Sequence, residues 1–143
     1  MRALLLGLAF VLSLVTAPAA VAGPAPDTKP LEITFTKADP DGNFTWNGTV
    51  DGAATGALET RLTDVRAEGW ILYVSFEWDI DAGAHSFVAE MTGILNQRTG
   101  AVVMNGTVVE GWMEGAHVHE QGQLVDPGTL TFEGTITVLP ATT

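Results

Sequence analysis

The sequence predicts an all-β fold, a single antiparallel up-and-down barrel of about eight strands. Three observations point to it. After residue 30 apolar and polar residues alternate with period two, and clusters of Gly, Asp and Asn interrupt the alternation about every ten residues. The interruptions are short, as in Asn96–Gly100, so successive strands should pair as hairpins. Glycine recurs in the middle of several strands, and no amphipathic helical window follows the first 30 residues.

The clearest strand is Gly69–Asp79, and the last strand is equally regular. In Gly69–Asp79, every second residue is apolar and should point into the core. In the last strand, the apolar residues alternate with threonines that should face water. Burial of five large side chains at about 1.5–3 kcal/mol each makes the first of these strands the anchor of the core. The inward residues are Trp70, Leu72, Val74, Phe76 and Trp78 in one strand and Leu130, Phe132, Gly134, Ile136 and Val138 in the other. The predicted strands lie near 31–37, 43–51, 55–65, 68–79, 84–95, 100–110, 111–124 and 129–138.

A short motif with glycine at its centre recurs in Trp46–Val50, Met104–Val108 and Phe132–Ile136. Glycine inside a strand costs stability, so its repetition requires a structural reason. Mid-strand glycines allow the sharp coiling that closes eight strands around a core. Closure also removes exposed sheet edges. A two-sheet sandwich is the alternative architecture.

The N-terminal residues 1–22 have the pattern of a cleaved signal peptide. Arg2 is followed by an apolar run, and Ala20–Ala22 has the small residues that signal peptidase accepts. A membrane anchor is the alternative, but the apolar run is shorter than the roughly 20 residues that span a bilayer. We therefore expect a proline-rich flexible leader at 23–30, the barrel domain at 31–139 and a tail at 140–143. The expected location is secreted or periplasmic, and the lack of cysteine favours a bacterial source.

Charge excludes several partners. Without Arg2, 5 basic residues stand against 17 acidic ones, so the net charge after cleavage is near −12. Such a chain repels nucleic acid and anionic membrane surfaces. We expect no nucleic-acid partner and no stable membrane insertion after signal cleavage, while the oligomeric state stays open.

The exported small barrel, the meander order and the glycine-centred strands resemble the bacterial allene oxide cyclase-like barrels and, more remotely, the dirigent proteins. The resemblance covers about residues 31–139. It implies an eight-stranded barrel whose mouth accepts an apolar small molecule. No stretch of the chain matches a catalytic motif of that family residue by residue, so the catalytic residues stay unknown.

The stretch Gly115–Gln123 contains the pair His117 and His119, which period two places on one face of the seventh strand with Met113, Gly115 and Gln121. Two such imidazoles could reach one metal ion, with a third ligand from His85 or Glu90. The sequence supplies no partner motif, and Glu120 should point to the opposite face. We therefore favour no metal site and no cofactor, and expect the two histidines to be a partly exposed pair.

Two function classes remain open besides a purely structural secreted domain. One is a binding protein for a small apolar molecule, with Trp46, Trp70, Trp78 and Trp112 as the expected contacts. The other is a cyclase or isomerase in which a buried glutamate or histidine moves a proton. A filled barrel would favour a structural role, a cavity with an ionisable group would favour the enzyme, and a cavity without one would favour the binding protein.

Overall fold

A computed structural model describes residues 29–141, and within them the predicted all-β barrel is confirmed. The predicted signal peptide, residues 23–28 of the leader and the last two residues of the tail lie outside the described part. Each strand pairs antiparallel with the next, and β8 pairs with β1 to close the barrel. The strands are β1 (Leu31–Ala38), β2 (Thr45–Gly52), β3 (Gly56–Glu68), β4 (Ile71–Asp81), β5 (Phe87–Asn96), β6 (Ala101–Gly111), β7 (His117–Asp126) and β8 (Thr131–Leu139).

One predicted strand boundary is wrong by more than three residues. β7 begins at His117 and not at residue 111, because the backbone turns sharply between Gly111 and Ala116. Met113 and Gly115 both have positive φ, at 64° and 86°, which is incompatible with a strand. These two residues therefore do not share a strand face with His117.

Helix is confined to a single 3-10 turn, Gly83–His85, in the part of the chain that the structure describes. This turn connects β4 to β5, and the Ser86 hydroxyl donates a hydrogen bond to the carbonyl of Gly83 (2.8 Å). Between residues 29 and 141 the structure has no helix with the length and apolar character needed to cross a membrane.

The inward faces follow the predicted alternation, with one correction. Trp70 is not a core residue: it lies in the turn between β3 and β4, and 56% of its surface is exposed. Its ring instead stacks under the guanidinium of Arg98, 4.6 Å from the ring centroid. From Val74 to Ile80 the alternation of β4 holds, and Trp78 is 1% exposed.

The recurring glycines stand where neighbouring strands approach too closely for a side chain. A Cβ at Gly48 would overlap the carbonyl oxygen of Thr36, and one at Gly106 would overlap that of Glu90. Both carbonyls belong to the adjacent strand in the sheet. The close approach is the physical reason for the glycine-centred motif, and it accompanies the coiling of a small closed barrel.

The two ends of the barrel differ. The filled end, which carries the connections 53–55, 82–86 and 112–116, is packed with apolar side chains. The open end carries the connections 39–44, 69–70, 97–100 and 127–130, and the interior beneath it is partly hollow. The filled end is packed by side chains that are each no more than 3% exposed: Ile33, Ile80, Phe87, Ala89, Val108, Val118 and Val138.

Candidate functional site: a cavity with a buried lysine and glutamate

A cavity of about 340 Å³ lies inside the barrel at the open end. Its walls come from all eight strands and from the turns at that end, and they are mostly apolar. The volume is near the lower limit of the roughly 300–1,000 Å³ of known small-molecule sites. Apolar lining residues include Trp46, Leu62, Leu72, Phe76, Val102, Met104, Leu124 and Phe132, and the charged ones are Lys37 and Glu120.

Strand alternation brings the two charged residues inside. Lys37 follows Ile33 and Phe35 on the inward face of β1, and Glu120 follows Val118 on the inward face of β7. They are 4% and 1% exposed. Lys, Glu, Arg and Asp are almost never fully buried in proteins unless they are paired, so two such residues in one small interior mark a site.

Aromatic rings surround the ammonium group of Lys37. Its Nζ lies 4.0 Å from the ring centroid of Trp78, 5.1 Å from that of Phe76 and 5.5 Å from that of Phe35. The faces of aromatic rings attract cations, which offsets part of the cost of removing the ammonium from water. Burial nevertheless dominates and lowers the pKa of Lys37 to about 8, while the nearby Glu120 charge acts in the opposite direction.

The buried carboxyl group of Glu120 has fewer favourable contacts than the ammonium group of Lys37. Burial raises the pKa of Glu120 to about 7, and the positive charge of Lys37 acts against this rise. Its Oε2 atom is buried and has no hydrogen-bond partner. Among residues 29–141 the ion pairs within 4.0 Å are Arg61–Glu77 and Arg66–Glu68, so Lys37 and Glu120 sense each other's charge without direct contact.

The rim of the cavity is held by backbone hydrogen bonds. The buried carboxylate of Asp39 accepts hydrogen bonds from the backbone amides of Asn43 (3.1 Å) and Phe44 (2.9 Å). These contacts fix Phe44, which has a φ of 64° and projects at the opening, 60% exposed. The Trp46 indole Nε1 donates to the carbonyl of Leu130 (3.0 Å), which orients its ring along the cavity wall.

The four tryptophans expected to share a ligand site are not brought together. Trp46 lines the cavity, whereas Trp78 lies below it against Lys37. Trp70 is on the outer surface. Trp112 lies at the filled end, with its ring centroid 4.6 Å from that of His85 and 6.1 Å from that of Phe87.

The histidines also lie outside the cavity. His117 is exposed, and His119 is partly buried with its Nδ1 2.8 Å from the Asn105 side-chain oxygen. His85 is exposed in the 3-10 turn. No group of three His, Cys, Asp or Glu side chains within residues 29–141 is arranged to hold a metal ion, and Glu90 is exposed on the outside of β5.

A larger hollow of about 570 Å³ lies on the outer face of the barrel around β1, β2, β7 and β8. Outward threonines and carboxylates, such as Thr34, Thr49, Asp51 and Glu133, line it. It lacks the enclosing apolar walls typical of small-molecule sites. The interior cavity is therefore the stronger candidate for a functional site.

Comparison with protein-family models, with curated proteins and with solved structures finds no match for this chain. The resemblance to allene oxide cyclase-like barrels thus stays a prediction from the sequence. The case for function depends on the cavity itself.

Proposed function

We propose that this protein is an extracytoplasmic barrel that binds one small apolar molecule in the cavity at its open end. The observation that carries the proposal is the cavity of about 340 Å³, enclosed by apolar side chains, in a barrel whose other half is filled. Barrels of eight strands are just wide enough either to be filled or to hold one small ligand. This barrel is filled in one half and hollow in the other.

Trp46 and Phe76 form the aromatic part of the wall. Their ring centroids are 5.4 Å apart with an interplanar angle of 70°, an edge-to-face contact that fixes both rings. The ligand would lie against these rings and against the aliphatic side chains of Leu72 and Val102. The proposal includes export, which the signal-peptide pattern of residues 1–22 supports. It also includes a relationship to the allene oxide cyclase-like barrels, which the barrel architecture supports.

Two neighbouring residues of β6 offer a matched test. Val102 lines the cavity and is 6% exposed, whereas Val103 faces outward and is 39% exposed. Val102→Phe should fill part of the cavity, and Val103→Phe should leave it unchanged. We expect the first variant to weaken binding of 1-decanol at least tenfold, measured by isothermal titration calorimetry, and the second to bind like the parent protein. Equal affinities in both variants would place the ligand elsewhere.

A second candidate function is favoured by Lys37 and Glu120. A carboxyl group whose pKa is about 7 is suited to move a proton at neutral pH, and an ammonium group beside it can stabilise a developing negative charge. The corresponding reaction class is isomerisation or cyclisation of an apolar substrate that the cavity holds in a folded conformation. Glu120 would take a proton from carbon and return it to another position, and Lys37 would face the oxygen that gains charge.

Deuterium exchange distinguishes this candidate. In D₂O at pH 7.5, 2-undecanone with the protein should exchange its α-protons faster than 2-undecanone alone if Glu120 is a base, and Glu120→Gln should abolish the acceleration. Nuclear magnetic resonance measures the exchange. Exchange at the uncatalysed rate, with 2-undecanone bound, would favour the binding protein over the enzyme.

A further inference from the structure

We infer that the ligand is a neutral apolar molecule with one hydroxyl group, and that this hydroxyl bridges Lys37 and Glu120. The inference rests on the proposed function and specifies the ligand class. Both side chains line the cavity, and no direct ion pair joins them. A hydroxyl group donates one hydrogen bond and accepts others, so a single oxygen atom can serve a donor and an acceptor at once.

The buried Oε2 of Glu120 is the strongest reason to expect a donor on the ligand. This oxygen has no hydrogen-bond partner, and leaving a buried acceptor unsatisfied costs about 1–3 kcal/mol or more for a charged group. An ether or an ester lacks the proton needed there. An alcohol supplies it, and the ammonium group of Lys37 can donate to the same oxygen.

Charge argues against a carboxylic acid. The charged side chains buried within residues 29–141 are Lys37, Asp39 and Glu120, and the Asp39 carboxylate is engaged by two backbone amides at the rim. The strands beside Glu120 place Met104 and Ile136 opposite it, both apolar. A ligand carboxylate would thus add a second negative charge near one ammonium group, and a buried uncompensated charge costs several kcal/mol. The acidic surface also repels anions.

Size bounds the apolar part. At about 30 Å³ for each water-sized group, the cavity holds roughly ten non-hydrogen atoms. The polar group would lie deep, against Lys37 and Glu120, and the hydrocarbon would run toward Phe44 and Leu130 at the opening. A medium-chain alcohol such as 1-decanol matches these requirements.

The test compares three probes of nearly equal size at pH 7.5: 1-decanol, 1-methoxynonane and decanoic acid. The ether accepts hydrogen bonds but cannot donate, and the acid is an anion. Isothermal titration calorimetry should give 1-decanol an affinity at least fivefold higher than that of either other probe. Preference for decanoic acid, or equal affinity for the alcohol and the ether, would overturn the inference and leave the proposed binding function intact. Failure of all three to bind would overturn both.

A double variant keeps the test independent of a destabilised single variant. Lys37→Met with Glu120→Leu replaces both charges by apolar groups of similar size, which often preserves or raises stability. A melting curve checks that it folds. This variant should bind 1-decanol and 1-methoxynonane with equal affinity, whereas a persisting preference for the alcohol would place its hydroxyl group away from these two residues.

Discussion

Gly122 and Gly134 lie directly opposite each other on β7 and β8, and the ring of Phe35 covers both. The space available for an added side chain is smaller at Gly134 than at Gly122. A Cβ at Gly134 would overlap the carbonyl oxygen of Gln121 and lie 2.9 Å from Cζ of Phe35. A Cβ at Gly122 would meet a Glu120 side-chain oxygen at 3.1 Å, and no backbone atom closer than 3.6 Å.

Gly134→Ala should therefore destabilise the barrel much more than Gly122→Ala. Backbone cannot move away as a flexible side chain can, so we expect a loss of about 3 kcal/mol or more for the first and about 1 kcal/mol for the second. Urea unfolding followed by tryptophan fluorescence measures both. Equal losses would mean that the two strands are less closely spaced at Gly134 than the structure shows.

Lys37 and Glu120 together contribute to the free energy of unfolding in a way that depends on pH. This contribution should be lowest between about pH 7 and pH 8. The folded state raises the pKa of Glu120 from 4.5 to about 7, so its stabilising contribution is complete below pH 4.5 and is lost as the pH rises to about 7. The folded state lowers the pKa of Lys37 from 10.5 to about 8, so its contribution is complete above pH 10.5 and is lost as the pH falls to about 8.

The Lys37→Met, Glu120→Leu variant isolates this effect. Its free energy of unfolding should exceed that of the parent protein by about 1–4 kcal/mol at pH 7.5, and the difference should shrink toward pH 5 and pH 10. Urea titrations at the three pH values give the comparison. A difference that stays constant across them would show that the two groups titrate alike in the folded and unfolded chain.

Asp39→Ala should loosen the rim of the cavity. The change removes the acceptor for the amides of Asn43 and Phe44, and we expect a loss of about 1–3 kcal/mol in stability and a faster dissociation of 1-decanol. Asp41→Ala, an exposed change in the same connection, is the control and should have little effect. Stopped-flow fluorescence measures the dissociation, and identical rates for the two variants would contradict a rim role for Asp39.

Zinc at tens of micromolar should raise the melting temperature by less than about 2 °C. Within residues 29–141 no third ligand joins His117 and His119, and a weak site stabilises little. His117→Ala with His119→Ala is the control. A rise of several degrees that the double variant abolishes would establish a metal site on the outer face of β7.

The alternation of apolar and polar residues was sufficient to predict the barrel. It did not predict the interior cavity with Lys37 and Glu120. The turn of Gly69, with a φ of 58°, and Trp70 lies immediately before β4, which begins at Ile71. The inward alternation therefore does not include Trp70, which is why Trp70 was wrongly assigned to the core. Glu120 was predicted on the face opposite His117 and His119, and that face is the interior. Period two likewise places Lys37 beside Phe35. The signal was present, but charged residues are normally assigned to solvent. No local pattern reveals that β1 and β7, which both pair with β8, line the same cavity.

The barrel has a filled end and an open end, so the residues that stabilise the fold and the residues that line the cavity lie in different halves. Changes around the buried Ile80 and Val118 should affect whether the chain folds. Under the proposed function, changes around Leu62 and Leu124, which line the cavity, should affect which ligand binds. The second group can vary while the first preserves the architecture. A scaffold of this kind can acquire new ligands by substitutions in one half, and a designer could exploit the same freedom without re-engineering the fold.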